Sequence, residues 1–249
     1  MAAGMGDMMP DIGEFTLKDM VEFSSALRSM GSGAGSMEEA ADRIIHYLYD
    51  NMTDKKTGAT SCALVRFFKT HPYGELDSGL QEFARGVLNG APTSPDMKCL
   101  VLLASAGIEP EWDSRKTSQG HKAIPLPSEH FVEAFPMVRQ LIQQMGLEVN
   151  TVLRPDPGVV IDLAQTTYNV FCIPDAVGSP YVPAQKTFVI PYGVRSVIGF
   201  GGILPSGNLF VIIVFSKVRG PKEVADLFRS LPLSVKIAVL PFDGKKVFR

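Results

Sequence analysis

Apolar positions along this chain recur at two periods, and the changes of period fall at capping and turn residues. Thr16, with Asp19 three residues on, marks a helix start, and Leu17, Met20, Val21, Ser24, Leu27 and Arg28 carry that helix to about Met30. Residues 31–35, Gly-Ser-Gly-Ala-Gly, interrupt the pattern. Ser36 and Glu39 form a second capping pair, behind which Met37, Ala40, Ala41, Ile44, Ile45, Leu48 and Tyr49 share one helical face. The period then shortens to two over 61–68, a strand with Cys62, Leu64 and Arg66 on one side and Ala63, Val65 and Phe67 on the other. A helix is predicted over 76–87, and the almost wholly apolar run 97–104 reads as a central strand. A polar loop spans 109–127, and the helix predicted over 128–145 contains Pro136, which kinks it or splits it in two.

The runs 197–204 and 209–215 are of strand length and rich in β-branched and aromatic residues, with Pro205-Ser-Gly-Asn208 between them. This is a β-hairpin, and one so apolar needs a covered sheet around it. Before it, 159–163 and 167–173 read as short strands or irregular chain, and 174–183 is a proline-rich loop. After it, Pro221 opens a helix in which Val224, Phe228, Leu231, Val235 and Ala238 are spaced 4, 3, 4, 3, with Pro232 as a kink. The expected fold is α+β. An antiparallel sheet carries the helices of both chain ends on one face, and 109–127, 128–145 and 174–186 cover the other around a cavity suited to a small ligand. The expected organisation is a disordered segment 1–14, one domain over 15–242, and a tail or start of a linker over 243–249.

Composition narrows the partners. A net charge of −2 lacks the basic excess of nucleic-acid-binding domains, so no nucleic acid is expected. No run approaches the roughly 20 apolar residues of a membrane span, and residues 1–10 lack the features of a secretory signal; a cytoplasmic protein is expected. Cys62, Cys99 and Cys172 are odd in number and widely spaced, as buried thiols in a reducing compartment would be.

Several residues carry candidate chemistry. Arg66 is a charge inside an apolar strand and requires a partner, either an anionic ligand or an internal carboxylate such as Glu75 or Asp77. Lys69 and His71 follow on the same strand, and Arg195 precedes the hairpin as a ligand contact or a loop brace. Tyr168, Tyr181 and Tyr192, with Asn169, Phe171 and Phe200, supply aromatic bodies and polar tips around the expected cavity, as ligand contacts or as plain core, and the 109–127 loop adds Trp112 as a further candidate contact. No histidine pair has zinc spacing; a haem held by one histidine would use His71 or His121. No nucleophile elbow occurs, so hydrolase chemistry of that kind finds no support.

The succession from Phe188 through Pro-Tyr-Gly-Val-Arg195-Ser to Phe200, then Gly207-Asn-Leu-Phe-Val-Ile-Ile-Val-Phe-Ser216 and a terminal helix, resembles the second half of a GAF domain. The phrases beginning at Cys62 (Cys-Ala-Leu-Val-Arg-Phe-Phe-Lys-Thr-His-Pro-Tyr-Gly-Glu-Leu), Gly120, Thr167 and Gly178 are similar to N-terminal sensory regions of bacterial sensor histidine kinases, over about 15–242. The resemblance implies a non-catalytic input domain that binds a small-molecule effector. In that setting PAS or kinase modules follow downstream, the chain being either an excised sensor region or a stand-alone input protein. The 4-3-4-3 seam and the apolar hairpin lead us to expect a homodimer through the terminal helices, with the helix over 17–30 beside that over 221–239. Some GAF-fold proteins are thiol enzymes of the methionine sulfoxide reductase type, for which Cys99 or Cys172 would be the nucleophile. A dimerisation scaffold without a ligand is the third reading.

Overall fold

The structure is a computed structural model and describes residues 12–54 and 57–249. Thr16 accepts from the Asp19 amide and Asp19 bonds back to Thr16, a complete capping box that starts α1, Leu17–Ser29. Ser36 caps α2, Met37–Asn51, but Glu39 reaches past it to the Gly35 amide. β1, Cys62–Pro72, is followed by α3, Ser78–Leu88, which Asp77 caps. β2 is Lys98–Gly107 and β3 is Ala123–Leu126. Pro136 splits the next helix into α4, Glu129–Glu133, and α5, Pro136–Gln144. Two short helices follow, α6, Val149–Leu153, and α7, Val160–Gln165, and then β4, Phe171–Ile173. The hairpin is β5, Ser196–Ile203, and β6, Leu209–Ser216. The last helix runs as α8, Lys222–Leu227, a tight turn over 228–230, and α9, Leu231–Val239.

The fold is α+β, with one antiparallel sheet of six strands in the order β3-β2-β1-β6-β5-β4. β1 and β6 are the middle pair, covered on both faces, which is why both are buried along nearly their whole length. On one face Val65, Phe67, Ile198, Phe200, Phe210, Ile212 and Val214 meet α1, α2, α8 and α9. Phe67 and Phe210 stack across the two central strands at 5.9 Å, each fully buried and worth roughly 2 kcal/mol in area alone. The opposite face, with Leu64, Phe68, Leu100, Leu102, Val211, Ile213 and Phe215, lies under α4–α6 and the loops around residues 112 and 182. The α3 helix covers the outer end of the first face over Cys99, Val101 and Ala123.

Five features depart from the sequence pattern. A register shift between Cys62 and Leu64 turns Cys62 onto the helix face with Val65 and Phe67, rather than beside Leu64 and Arg66. The segment 123–126, expected as loop, is an edge strand, and 160–165 is helix rather than a short strand or irregular chain. Residues 243–249, expected as a tail or linker, are docked instead. Lys246 and Val247 carbonyls accept the first amides of α2, Val247 is buried, and Asp243 holds Ser206 at the hairpin turn. Within the segment expected to be disordered, Ile12–Glu14 form a tight turn with Ile12 buried, and residues 1–11 lie outside the described residues.

Candidate functional site

The sheet face away from the terminal helices bounds a cavity of about 370 Å³. Its floor is Leu64, Arg66, Phe68 and Thr70 of β1, with Leu100, Leu209, Ile213 and Phe215 from neighbouring strands. Its walls are Trp112, Gly120, His121, Ile124 and Leu126 from 109–127, the α5 residues Val138, Leu141 and Ile142, and Val182, Pro183, Ala184 and Phe188. The exposed members of this lining, His121, Ala134, Pro136, Pro183 and Ala184, mark the mouth. The lining is overwhelmingly apolar, with a few polar groups set into it, the usual makeup of a small-molecule site.

Arg66 is the charge in that lining. It stands opposite Ser105 on β2 and Ile213 on β6 and keeps only 8% of its surface accessible. Its Nη2 donates to Ser118 Oγ at 2.9 Å, while its Nε is buried without any partner. Ser105 Oγ, directly across the strand pair, is likewise buried and unbonded. Among the described residues no carboxylate pairs with Arg66: Glu75 sits 3.3 Å from His71, and Asp77 caps α3. Burial pushes the guanidinium down to about 10, so it remains charged at neutral pH with its desolvation uncompensated. His121 lines the same space on a left-handed backbone, φ 61°, uncommon for a residue with a Cβ. Desolvation and, next, the Arg66 charge hold its pKa below the ordinary value, although it is exposed at the mouth.

The surrounding chain fixes these groups. Arg115 pairs with Glu38 of α2 at 3.0 Å and lies over the Phe248 ring, anchoring the loop that delivers Ser118 three residues later. Trp112 packs against Tyr192 and Phe188, with centroids at 4.6 and 5.4 Å. Gln185 holds the 176–182 loop as a clamp: its Nε2 donates to the Ala176 and Val182 carbonyls and its Oε1 accepts from the Gly178 amide, at 2.7–2.9 Å.

Of the residues singled out from sequence, Arg66, Trp112 and His121 meet at the cavity, and Tyr192 supports Trp112 from outside it. Lys69 and His71 do not join them. Lys69 is in register with Val101 and Phe210 and so lies on the helix face, where it donates to the Thr70 carbonyl and to His71 Nδ1. Desolvation lowers Lys69 to about 8; desolvation, then Lys69 and Lys98, lowers His71 to about 3. The Glu75 contact favours a charged imidazole, but Glu75 is 65% exposed, so the neutral form holds. Phe200 packs on Phe228 on that same face. Tyr168 donates to the Leu163 carbonyl, and Asn169 accepts from Arg229 at 2.8 Å; neither lines the cavity. Tyr181 and Arg195 are exposed and outside the lining; Arg195 braces by backbone bonds to Ser216 and Ala176. Ser118, Gln185 and the α5 wall were not singled out as site residues; the apolar face of 128–145 was the one signal for the last.

All three thiols are free, and burial raises each, Cys62 and Cys99 to about 12. Among the described residues no cluster of three or more histidine, cysteine or carboxylate side chains could hold a metal, and no helix is long and apolar enough to cross a membrane. Compared with family models and with curated proteins, the sequence matches none.

Proposed function

We propose that this chain is a GAF-like sensory domain that binds a small-molecule effector in the cavity over β1 and relays occupancy to its terminal helices. The observation that carries this reading is the cavity itself: about 370 Å³, apolar, and covered by α4–α6 and the loops around residues 112 and 182. The sheet order, with helices from both chain ends on one face and a loop-rich cover on the other, supports the GAF-like assignment.

Two chains of contact link the cover to the helix layer. Arg66 at the floor holds Ser118, and the same loop carries Arg115 to Glu38 on α2. The α5 wall ends at Met145, whose carbonyl takes the Asn169 amide; Asn169 in turn accepts from Arg229, and Lys236 of α9 donates to the Ala164 carbonyl. A ligand that favours one arrangement of α5 thereby biases the last helix.

The same helices form the homodimer face of this proposal, but not through the 4-3-4-3 seam, whose residues are all buried against the sheet. The available face is Leu17 and Val21 of α1 with Leu233, Ile237 and Leu240, exposed by 42–63%. Met20 shares a groove with Pro232, Leu233 and Lys236, so α1 and α9 present these side chains together. The raised thiols weigh against the cysteine-enzyme alternative, which needs an accessible thiolate.

The test is binding of the uncharged dye N-phenylnaphthylamine, followed by its fluorescence, in wild type and in Val138→Trp, which fills the cavity from α5. Saturable binding lost in the variant supports the reading. No binding to wild type, or binding that the variant leaves unchanged, removes it. A monomer at high micromolar concentration removes the dimer part alone.

A further inference from the structure

We infer that the effector is a monoanionic carboxylic acid with an elongated apolar body, its carboxylate held by Arg66 at the cavity floor. This rests on the cavity being the effector site and adds the chemistry of what enters it. A guanidinium is a planar fork of five donors, suited to a carboxylate bound by two parallel hydrogen bonds. Here one arm is used, by Ser118 Oγ at 2.9 Å, and Nε is buried and unbonded. The group is more than nine-tenths buried and lines the cavity, and no carboxylate of the described residues neutralises it. Buried charges are ordinarily paired, and folding alone gives no reason for this one. Ser105 Oγ, the orphaned hydroxyl on the adjacent strand, adds a second unmet polar group on the same sheet face.

The remaining lining decides between anions. A phosphate dianion needs a second cation or a helix N-terminus with free amides. The nearby basic residues are engaged elsewhere, Arg115 with Glu38 and Lys122 with the Lys116 carbonyl, and neither lines the cavity. The His121 ring, kept neutral by its surroundings, is a hydrogen-bonding group but not a second charge. Beyond Arg66 the lining includes Phe68 and Leu100 of the floor and Ile124, Phe135, Leu141 and Phe188 of the walls, which take an alkyl or aryl body. The acid enters head first, since the charge lies at the floor and the mouth is formed, beside His121, by the apolar Ala134, Pro136, Pro183 and Ala184.

Decanoate and decanol form a matched pair of probes, titrated at neutral pH against wild type, Arg66→Met and Arg66→Lys by displacement of N-phenylnaphthylamine. Decanoate is expected to bind wild type at least about tenfold more tightly than decanol, as one charge-assisted hydrogen-bonded pair provides. Arg66→Met should bind the two alike, and Arg66→Lys should recover part of the difference. Equal binding of acid and alcohol by wild type, or a preference that persists in Arg66→Met, overturns the assignment. The wild-type comparison stands even if a variant does not fold. A cavity that takes the dye but neither alkyl probe also overturns the carboxylate assignment and leaves the sensory reading intact. Failure of the dye to bind wild type overturns both.

Discussion

Removing the Arg66 charge together with its one partner should make the empty protein more stable. Burial holds the guanidinium near 10, more than two pKa units below an ordinary arginine. At about 1.4 kcal/mol per unit, carrying that charge costs the folded state on the order of 3 kcal/mol, a penalty fully present at neutral pH because the group is protonated in both states there. Arg66→Met alone would leave the buried Ser118 hydroxyl unbonded, which costs about 1–3 kcal/mol and cancels much of the gain. The double variant Arg66→Met/Ser118→Ala removes both, and methionine refills most of the volume. We expect it to unfold at higher urea with unchanged m value, by roughly 1–3 kcal/mol, followed by the fluorescence of Trp112, which is half-buried at the cavity wall. A loss of about 3 kcal/mol or more would refute the reasoning, since that is the signature of a charge whose pairing the fold depends on.

Other outcomes follow from the same geometry. Between pH 6.5 and about 3 the unfolded chain protonates His71 and the folded chain does not, so stability should fall with acid by up to about 1.4 kcal/mol per pH unit; His71→Gln should flatten that slope in urea titrations across the range. Lys69→Met should stabilise the protein at neutral pH by on the order of 1–2 kcal/mol, and the gain should fade as pH rises from about 8 toward the ordinary lysine value, as thermal melts at several pH values would reveal. Gln185→Ala removes the four side-chain hydrogen bonds that close the 176–182 loop, and should speed dye dissociation in stopped flow while costing roughly 2 kcal/mol or less in stability. Gly31→Ala places a methyl against the Ala238 carbonyl, so α1 and α9 must part; a drop of more than about 2 kcal/mol in urea is expected.

The parts of the fold legible in the sequence are those where local chemistry and burial agree. Thr16 and Asp19 form the cap their spacing implies, Pro136 breaks its helix, and the apolar hairpin occupies the covered sheet it requires. The misses have physical causes. The 123–126 strand is four residues long with a proline, tolerable at an edge but without a visible period. Cys62 changes face because a bulge adds a residue to β1, which no count of alternate positions detects. In the site, Arg66 was legible as a charge in an apolar strand, and the period of two already separated it from Lys69 and His71, although all three were grouped as candidates. Ser118 was not legible, because its place depends on Arg115 reaching Glu38 from a distant helix. Tyr168 and Asn169 were grouped with the cavity by residue type, whereas the chain after α7 buries Tyr168 in the core beside the cavity without lining it and turns Asn169 to Arg229.

Amide hydrogen exchange with and without a cavity ligand, decanoate or N-phenylnaphthylamine at saturation, tests the central claim most directly. The account predicts slower exchange in the cover, over 109–127 and 174–189, together with altered exchange in α1 and α9 across the sheet, and loss of the α9 change alone in Asn169→Ala. Exchange that changes in the cover while α1 and α9 stay untouched, or that changes nowhere, would contradict it.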